Sequence, residues 1–119
     1  AAKKIIKVRE KSAAAHRLIA VSYYNQGLLD ISREEWEKTL ISSGDTTDYA
    51  SAYNGLGNIY TDWGLYGSAE SEYQKALEIV PDFATALYGL GRLYNIKGDL
   101  EKASEYFERE NLKKNLAYN

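Results

Sequence analysis

The chain repeats itself, and this constrains its fold more than anything else in it. Slid along itself by 34 residues, it places Leu56-Gly57 on Leu90-Gly91, Tyr60 on Tyr94, Gly64 on Gly98, Ala69 on Ala103 and Tyr73 on Phe107. A slide of 37 residues carries the register upstream, with Ile19-Ala20 on Leu56-Gly57, Tyr23 on Tyr60, Gly27 on Gly64 and Trp36 on Tyr73. Three units follow, 13–49, 50–83 and 84–117, preceded by a basic extension over 1–12. Periods of this length belong to architectures in which one supersecondary unit cannot bury its own apolar face and stacks on copies of itself.

Each unit reads as two helices joined by a tight turn. Leu56, Ile59 and Tyr60 lie three or four residues apart, the spacing that gathers side chains on one helix face, and Trp63-Gly64 ends that helix. Ala69, Tyr73, Ala76 and Leu77 repeat the pattern on a second helix, and Pro81 follows its end, where a missing N–H and a fixed φ prevent continuation. Ser32 and Glu35 read as a capping box opening the first unit's second helix, and Asp82 and Asp99 as N-caps of the third unit's helices. Gly57, Gly91 and Ala20 are expected to face Ala69, Ala103 and Ser32, small against small, so that backbones approach closely. Tyr23, Tyr60 and Tyr94, with Trp36, Tyr73 and Phe107, recur at matching places and are expected to pack between helices and successive units.

These residues resemble the tetratricopeptide repeat family, whose pattern is W-x2-L-G-x2-Y…A-x3-F…P at a period of about 34 residues. The second unit supplies Tyr53-x2-Leu56-Gly57-x2-Tyr60, then Ala69-x3-Tyr73, Ala76 and Pro81. The third supplies Leu87-x2-Leu90-Gly91-x2-Tyr94 and Ala103-x3-Phe107, with Glu110 where a small residue is usual. The first diverges most, with His16, Ile19, Ala20, Tyr23, Ser32, Trp36 and Thr39, and has three extra residues near Ser43-Gly44-Asp45-Thr46.

The resemblance implies an all-α, right-handed α-solenoid of antiparallel helix pairs whose first helices line a concave groove for a peptide or another protein. Carried over position by position, the lining is Arg17, Val21, Tyr24 and Asn25 from the first unit, Asn54, Asn58, Thr61 and Asp62 from the second, and Thr85, Tyr88, Arg92 and Asn95 from the third. Asn54 and Asn58 sit one turn apart, where two amides can bond an extended peptide's N–H and C=O. Arg17 and Arg92 are placed to pair with ligand carboxylates at either end of that row. The family's two-carboxylate clamp for chaperone tails is not reproduced. Its Lys, two Asn, second Lys and Arg positions hold Arg17, Val21, Gly55, Thr85 and Gly89. Gly55 and Gly89 read as exposed helical glycines, which either admit another backbone or are simply tolerated.

The ends suggest a second kind of partner, another copy of the chain. Lys3-Lys4-Ile5-Ile6-Lys7-Val8 aligns with Gln74-Lys75-Ala76-Leu77-Glu78-Ile79, so the head resembles the tail of a preceding second helix. A single long helix through residues 2–26, which hold no Gly or Pro, fits as well. If the last helix runs on, Phe107, Leu112 and Leu116 form an uncapped surface that suits assembly into a homo-oligomer.

Composition excludes much else. There are no Cys and one His, His16, so thiolate sites and His-rich metal cages are ruled out, and no metal or cofactor is expected. Residues 1–11 carry Lys3, Lys4, Lys7, Arg9 and Lys11 against Glu10, and the rest of the chain is acidic enough to bring the net charge to −2. Such a body has no broad basic face for nucleic acid, and membrane contact by Ile5, Ile6 and Val8 alone is disfavoured. His16 falls at a core position, Glu34, Glu35 and Glu37 are read as opening a helix, and Asp62 is the sole carboxylate placed in the groove, so no acid–base pair is in view. Ser42-Ser43-Gly44-Asp45-Thr46-Thr47-Asp48 lacks the spacing and Lys of a P-loop and reads as a linker with an N-cap. The sequence therefore describes a non-catalytic binding scaffold. A Cys-free chain suits an exported protein as well as a cytoplasmic one, and the cytoplasm is preferred only slightly.

Overall fold

The structure, a computed structural model, describes residues 12–118, with side chains as far as Lys114. Its helices are α1 (Ala13–Asn25), α2 (Leu29–Ile41), α3 (Thr46–Asp62), α4 (Tyr66–Ile79), α5 (Ala84–Lys97) and α6 (Leu100–Tyr118). They pack as antiparallel pairs, α1 with α2, α3 with α4 and α5 with α6. Each pair then stacks on the next through α2 against α3 and α4 against α5. The first helices also touch in sequence, α1 with α3 and α3 with α5, which makes a front layer.

One turn closes all three pairs. Gly27, Gly64 and Gly98 adopt φ of 80°, 77° and 85°, a left-handed backbone that glycine reaches without a Cβ clash. The next N–H, on Leu28, Leu65 or Asp99, donates to the carbonyl of Tyr23, Tyr60 or Tyr94 at 2.9, 2.8 and 2.9 Å. The equivalence of these tyrosines therefore extends to the main chain. The ends of the first helices are satisfied by this turn, and Pro81 follows the end of α4 as expected.

Several helix starts differ from the sequence expectation. α2 begins at Leu29 without a side-chain cap, because the preceding turn leads the chain directly into it. Ser32 lies a turn inside, fully buried, and its hydroxyl donates to the Ala20 carbonyl at 2.8 Å. Glu35 is buried too, bonded to His16 Nδ1 at 2.6 Å and to Lys38 Nζ at 3.3 Å. Partners on the neighbouring helix have won over the local capping box, and Glu34 and Glu37 lie well inside α2. Asp82 does not cap α5 either: Phe83 holds that position, while Asp82 has φ 59° and accepts from Arg109 at 3.0 Å.

The capping box stands elsewhere. Asp45 Oδ1 accepts from the Asp48 N–H at 2.9 Å, and Asp48 Oδ2 accepts from the Asp45 N–H at 3.0 Å. α3 consequently starts at Thr46, ahead of the unit boundary drawn at 50. Asp99 accepts from the Lys102 N–H at 3.2 Å, in keeping with its assigned role. Ser12, in extended backbone, caps α1 by accepting from Ala15, so helix starts at Ala13 and does not run through from the head. The readings of residues 1–11 as a cut array or a membrane-surface helix lie outside the described residues.

The core has two parts. Between the first two pairs lie Ala20, Trp36, Ala52, Leu56 and Ile59; around the second and third lie Ala69, Tyr73, Ala76, Ala86, Leu90, Leu93, Tyr94 and Ala103. Each large apolar side chain so buried contributes about 1.5–3 kcal/mol. The space left by Gly57 is filled by the ring of Tyr73, and that left by Gly91 by the ring of Phe107. Small residues therefore make room for aromatics of the second helices, and not simply for other small residues.

Candidate functional site

Two concavities open on the front layer. The first, of about 430 Å³, is bordered by Arg17, Leu18, Val21 and Tyr24 of α1, Ser51, Asn54, Gly55 and Asn58 of α3, and Phe83 and Thr85 at the start of α5, with Trp36 also in its lining. The second, of about 490 Å³, runs from Tyr24, Asn54 and Asn58 past Thr85, Tyr88, Gly89 and Arg92 to Glu110 and Lys114 of α6. Tyr24, Asn54, Asn58 and Thr85 belong to both, so the two form one continuous trough.

Eight residues expected in the lining are there: Arg17, Val21, Tyr24, Asn54, Asn58, Thr85, Tyr88 and Arg92. Asn25 and Asn95 are exposed and border neither concavity. Thr61 is buried, its hydroxyl donating to the Gly57 carbonyl at 2.8 Å, so it is a packing residue. Asp62 is exposed and borders neither concavity, but it ties two lining residues together, accepting from Tyr24 Oη at 2.6 Å and facing Arg92 at 3.8 Å. Burial raises the Tyr24 phenol to about 12, and the hydrogen bond to Asp62 adds to the shift.

Each cation bordering the trough lies near a carboxylate of the chain. Arg17 Nε lies 3.5 Å from Asp48, Arg92 faces Asp62, and Lys114 lies 2.6 Å from the buried Glu110. Arg17 and Arg92 are therefore not bare charges waiting for ligand carboxylates. Asn58 is also partly committed, since its Oδ1 accepts from Tyr73 Oη at 2.6 Å. The Asn54 Oδ1, Trp36 Nε1 and Arg92 Nε atoms are buried with no hydrogen-bond partner among the described residues.

Sequence reasoning missed Trp36. It sits on α2, in the back layer, yet reaches the trough because Gly55 has no side chain: a Cβ there would collide with the indole. Gly89 likewise accommodates Tyr73, whose ring would lie 2.5 Å from an added Cβ. Both glycines are buried, not exposed, and what they admit is a ring of the chain itself. Glu110 and Lys114 were missed as well, because the extension of α6 brings a second helix to the groove side. Aromatics aligned opposite glycines were the available signal for the first of these.

At the far end, Phe107 is half-buried, packed on Gly91 and 5.9 Å between centroids from Tyr88. Leu112 is 62% exposed, and the Leu116 side chain lies outside the described residues. Among the described residues no three His, Cys, Asp or Glu side chains converge as a metal site would require, and no helix is long and apolar enough to cross a membrane.

Two family models described as tetratricopeptide repeat match the chain, over residues 11–82 and 54–113. The uncharacterized protein ycf37 of Pyropia yezoensis is 28% identical over 102 residues, covering 84% of this chain; the chain spans only 57% of that relative's length. The crystal structure of MamA superposes with a TM-score of 0.76 at 25% identity, covering 98% of this chain and 66% of that one. The second such repeat domain of Spaghetti (RPAP3), solved with an HSP90 peptide, superposes with a TM-score of 0.73 at 18% identity, covering 86% of this chain and 92% of that one.

Proposed function

Since the chain belongs to the tetratricopeptide repeat family, whose domains are typically protein–protein interaction modules and usually non-catalytic, we propose that it is a scaffold holding an extended segment of another protein in the trough. One observation supports this above the others: Asn54, whose buried side-chain oxygen has no hydrogen-bond partner among the described residues, borders both concavities at their junction. An extended peptide supplies an N–H for that oxygen, and one turn away the Asn58 amide nitrogen is the donor left after its oxygen is used by Tyr73. The RPAP3 domain was solved with the peptide SRMEEVD, whose last four residues, Glu-Glu-Val-Asp, include three acidic ones. An acidic tail is a poor model for the ligand of this chain, because Gly55 and Gly89 present no side chain and the trough's arginines face carboxylates of their own.

Selection of extended peptides by display, followed by mapping of the bound peptide on amide NMR signals, tests this reading. Selected peptides should shift Asn54, Asn58 and Thr85, and Asn54→Ala should weaken them about threefold to tenfold with helicity unchanged. Peptides that perturb only α2, α4 and α6 would refute it. A second reading, assembly of copies through the last helix, has the exposure of Leu112 in its favour. A reversible dimer in sedimentation equilibrium, abolished by Leu112→Asp, supports assembly, and a monomer over a hundredfold concentration range removes it.

A further inference from the structure

Resting on the trough as the binding site, we infer that its first concavity is a specificity pocket that takes one large apolar side chain from the interior of a partner segment, and not a chain end bearing carboxylates. Three independent features of the pocket lead there. The first is its wall. Leu18 is 68% exposed and Val21 42% exposed, and they stand beside half-buried Phe83 around a space of about 430 Å³. Aliphatic side chains left open inside a concavity gain by being covered with apolar surface, and the space is large enough for an aromatic or a leucine side chain.

The second is the unmatched pair of polar atoms. Trp36, only 4% exposed, contributes an indole N–H without a partner, and Asn54 contributes an oxygen without one. Both are shut off from water, so a ligand that reaches them by a small shift of either side chain gains bonds with no hydration to displace. A peptide group in mid-chain carries one acceptor and one donor, which match this pair. A terminal carboxylate carries acceptors alone and offers no donor to the Asn54 oxygen as it is placed here. The third feature is charge. The cations that border the trough each oppose a carboxylate of the chain, Arg17 with Asp48 and Arg92 with Asp62, so an acidic ligand must compete with ion pairs already made.

The test follows the two indole N–H signals of the uniformly 15N-labelled chain, Trp36 and Trp63, during titration with three short probes. The first is an acetylated and amidated Gly/Ser pentapeptide with a central Phe; in the second the Phe is Ser; the third ends in a free aspartate. The capped Phe peptide should move the Trp36 signal saturably and leave Trp63 in place, and the capped Ser peptide should bind at least about tenfold more weakly. Leu18→Ser, a change at a position 68% exposed, should lose most of that preference with helicity unchanged. Trp36→Phe, which keeps a ring over Gly55 but removes the N–H, should lose affinity about threefold to tenfold for both capped probes. Tighter, salt-sensitive binding of the aspartate-ended probe in the trough would overturn the pocket assignment and leave the trough as a binding site. No change of any trough signal with any probe at millimolar concentration would overturn both.

Discussion

Replacing Gly55 by Ala should cost stability even though Ala is the better helix former. The Trp36 indole lies where the new Cβ would stand, and overpacking of about 1–3 kcal/mol exceeds the roughly 1 kcal/mol gained from propensity. Gly67, also helical, has open space at the same point, so Gly67→Ala should be neutral or stabilising by about 0.5 kcal/mol. Urea denaturation of the two variants separates steric from intrinsic effects, and equal outcomes would contradict the assignment. The role of Gly55 was not legible in sequence, because its reason is a ring on another helix. Glu35 gives a prediction in pH. Burial alone would raise its carboxyl, but hydrogen bonds from His16 and Lys38 outweigh burial and hold it below the ordinary 4.5. The unfolded chain then takes up the proton first, so this contribution is complete above pH 4.5 and is lost as the pH falls through the lower, folded value. Glu35→Gln should flatten the acid limb of stability against pH. On the alkaline side Tyr24, raised by burial and Asp62 from 10.0 to about 12, acts in the opposite sense: its contribution is present below pH 10 and is lost as the pH rises through 12.

Helix starts show where local pattern and tertiary packing compete. Ser32-x-x-Glu35 has the spacing of a capping box, and both side chains are instead spent on α1, one on the Ala20 carbonyl and one on His16. Asp45-x-x-Asp48 has the same spacing, and there the box forms, because one Asp48 oxygen accepts from the Asp45 N–H while the other faces Arg17 of α1 at 3.5 Å. Asp45→Ala should therefore cost about 1 kcal/mol, the usual loss at an N-cap. Asp82→Gly, which suits the left-handed backbone at φ 59°, should cost less, since Asp82 caps nothing and its pair with Arg109 is an exposed one worth about 0–1 kcal/mol. Thermal unfolding of both variants checks the order, and a larger loss at Asp82 would restore the reading that it caps α5. The elements themselves were legible because period, turn glycines and Pro81 agree; their boundaries were not, because a polar side chain does not declare which helix it will serve.

Pairs of helices that touch only their neighbours give the molecule a gradient of protection. α3 is packed against both helices of the first pair, against α4 and against α5, so its amides should exchange most slowly. The final turns of α6 should exchange fastest, and native-state hydrogen exchange read by mass spectrometry would show it; uniform protection along the chain would mean that the pairs unfold as one unit. At this scale the row Arg17, Asn54, Asn58, Thr85, Tyr88 and Arg92 was recoverable from the repeat alone, since equivalent positions on stacked first helices must line one surface. Trp36, Glu110 and Lys114 were not, because they come from helices that the repeat assigns to the back. The turns at Gly64 and Gly98 share a backbone sign and a bond to the tyrosine carbonyl five residues behind the donor. A recombination event joining the codons at those two turns would delete or duplicate α4 together with α5, one repeat length, and still leave a turn that closes. Through such unequal exchange the gene can change the length of the array in whole pairs without having to invent a new junction.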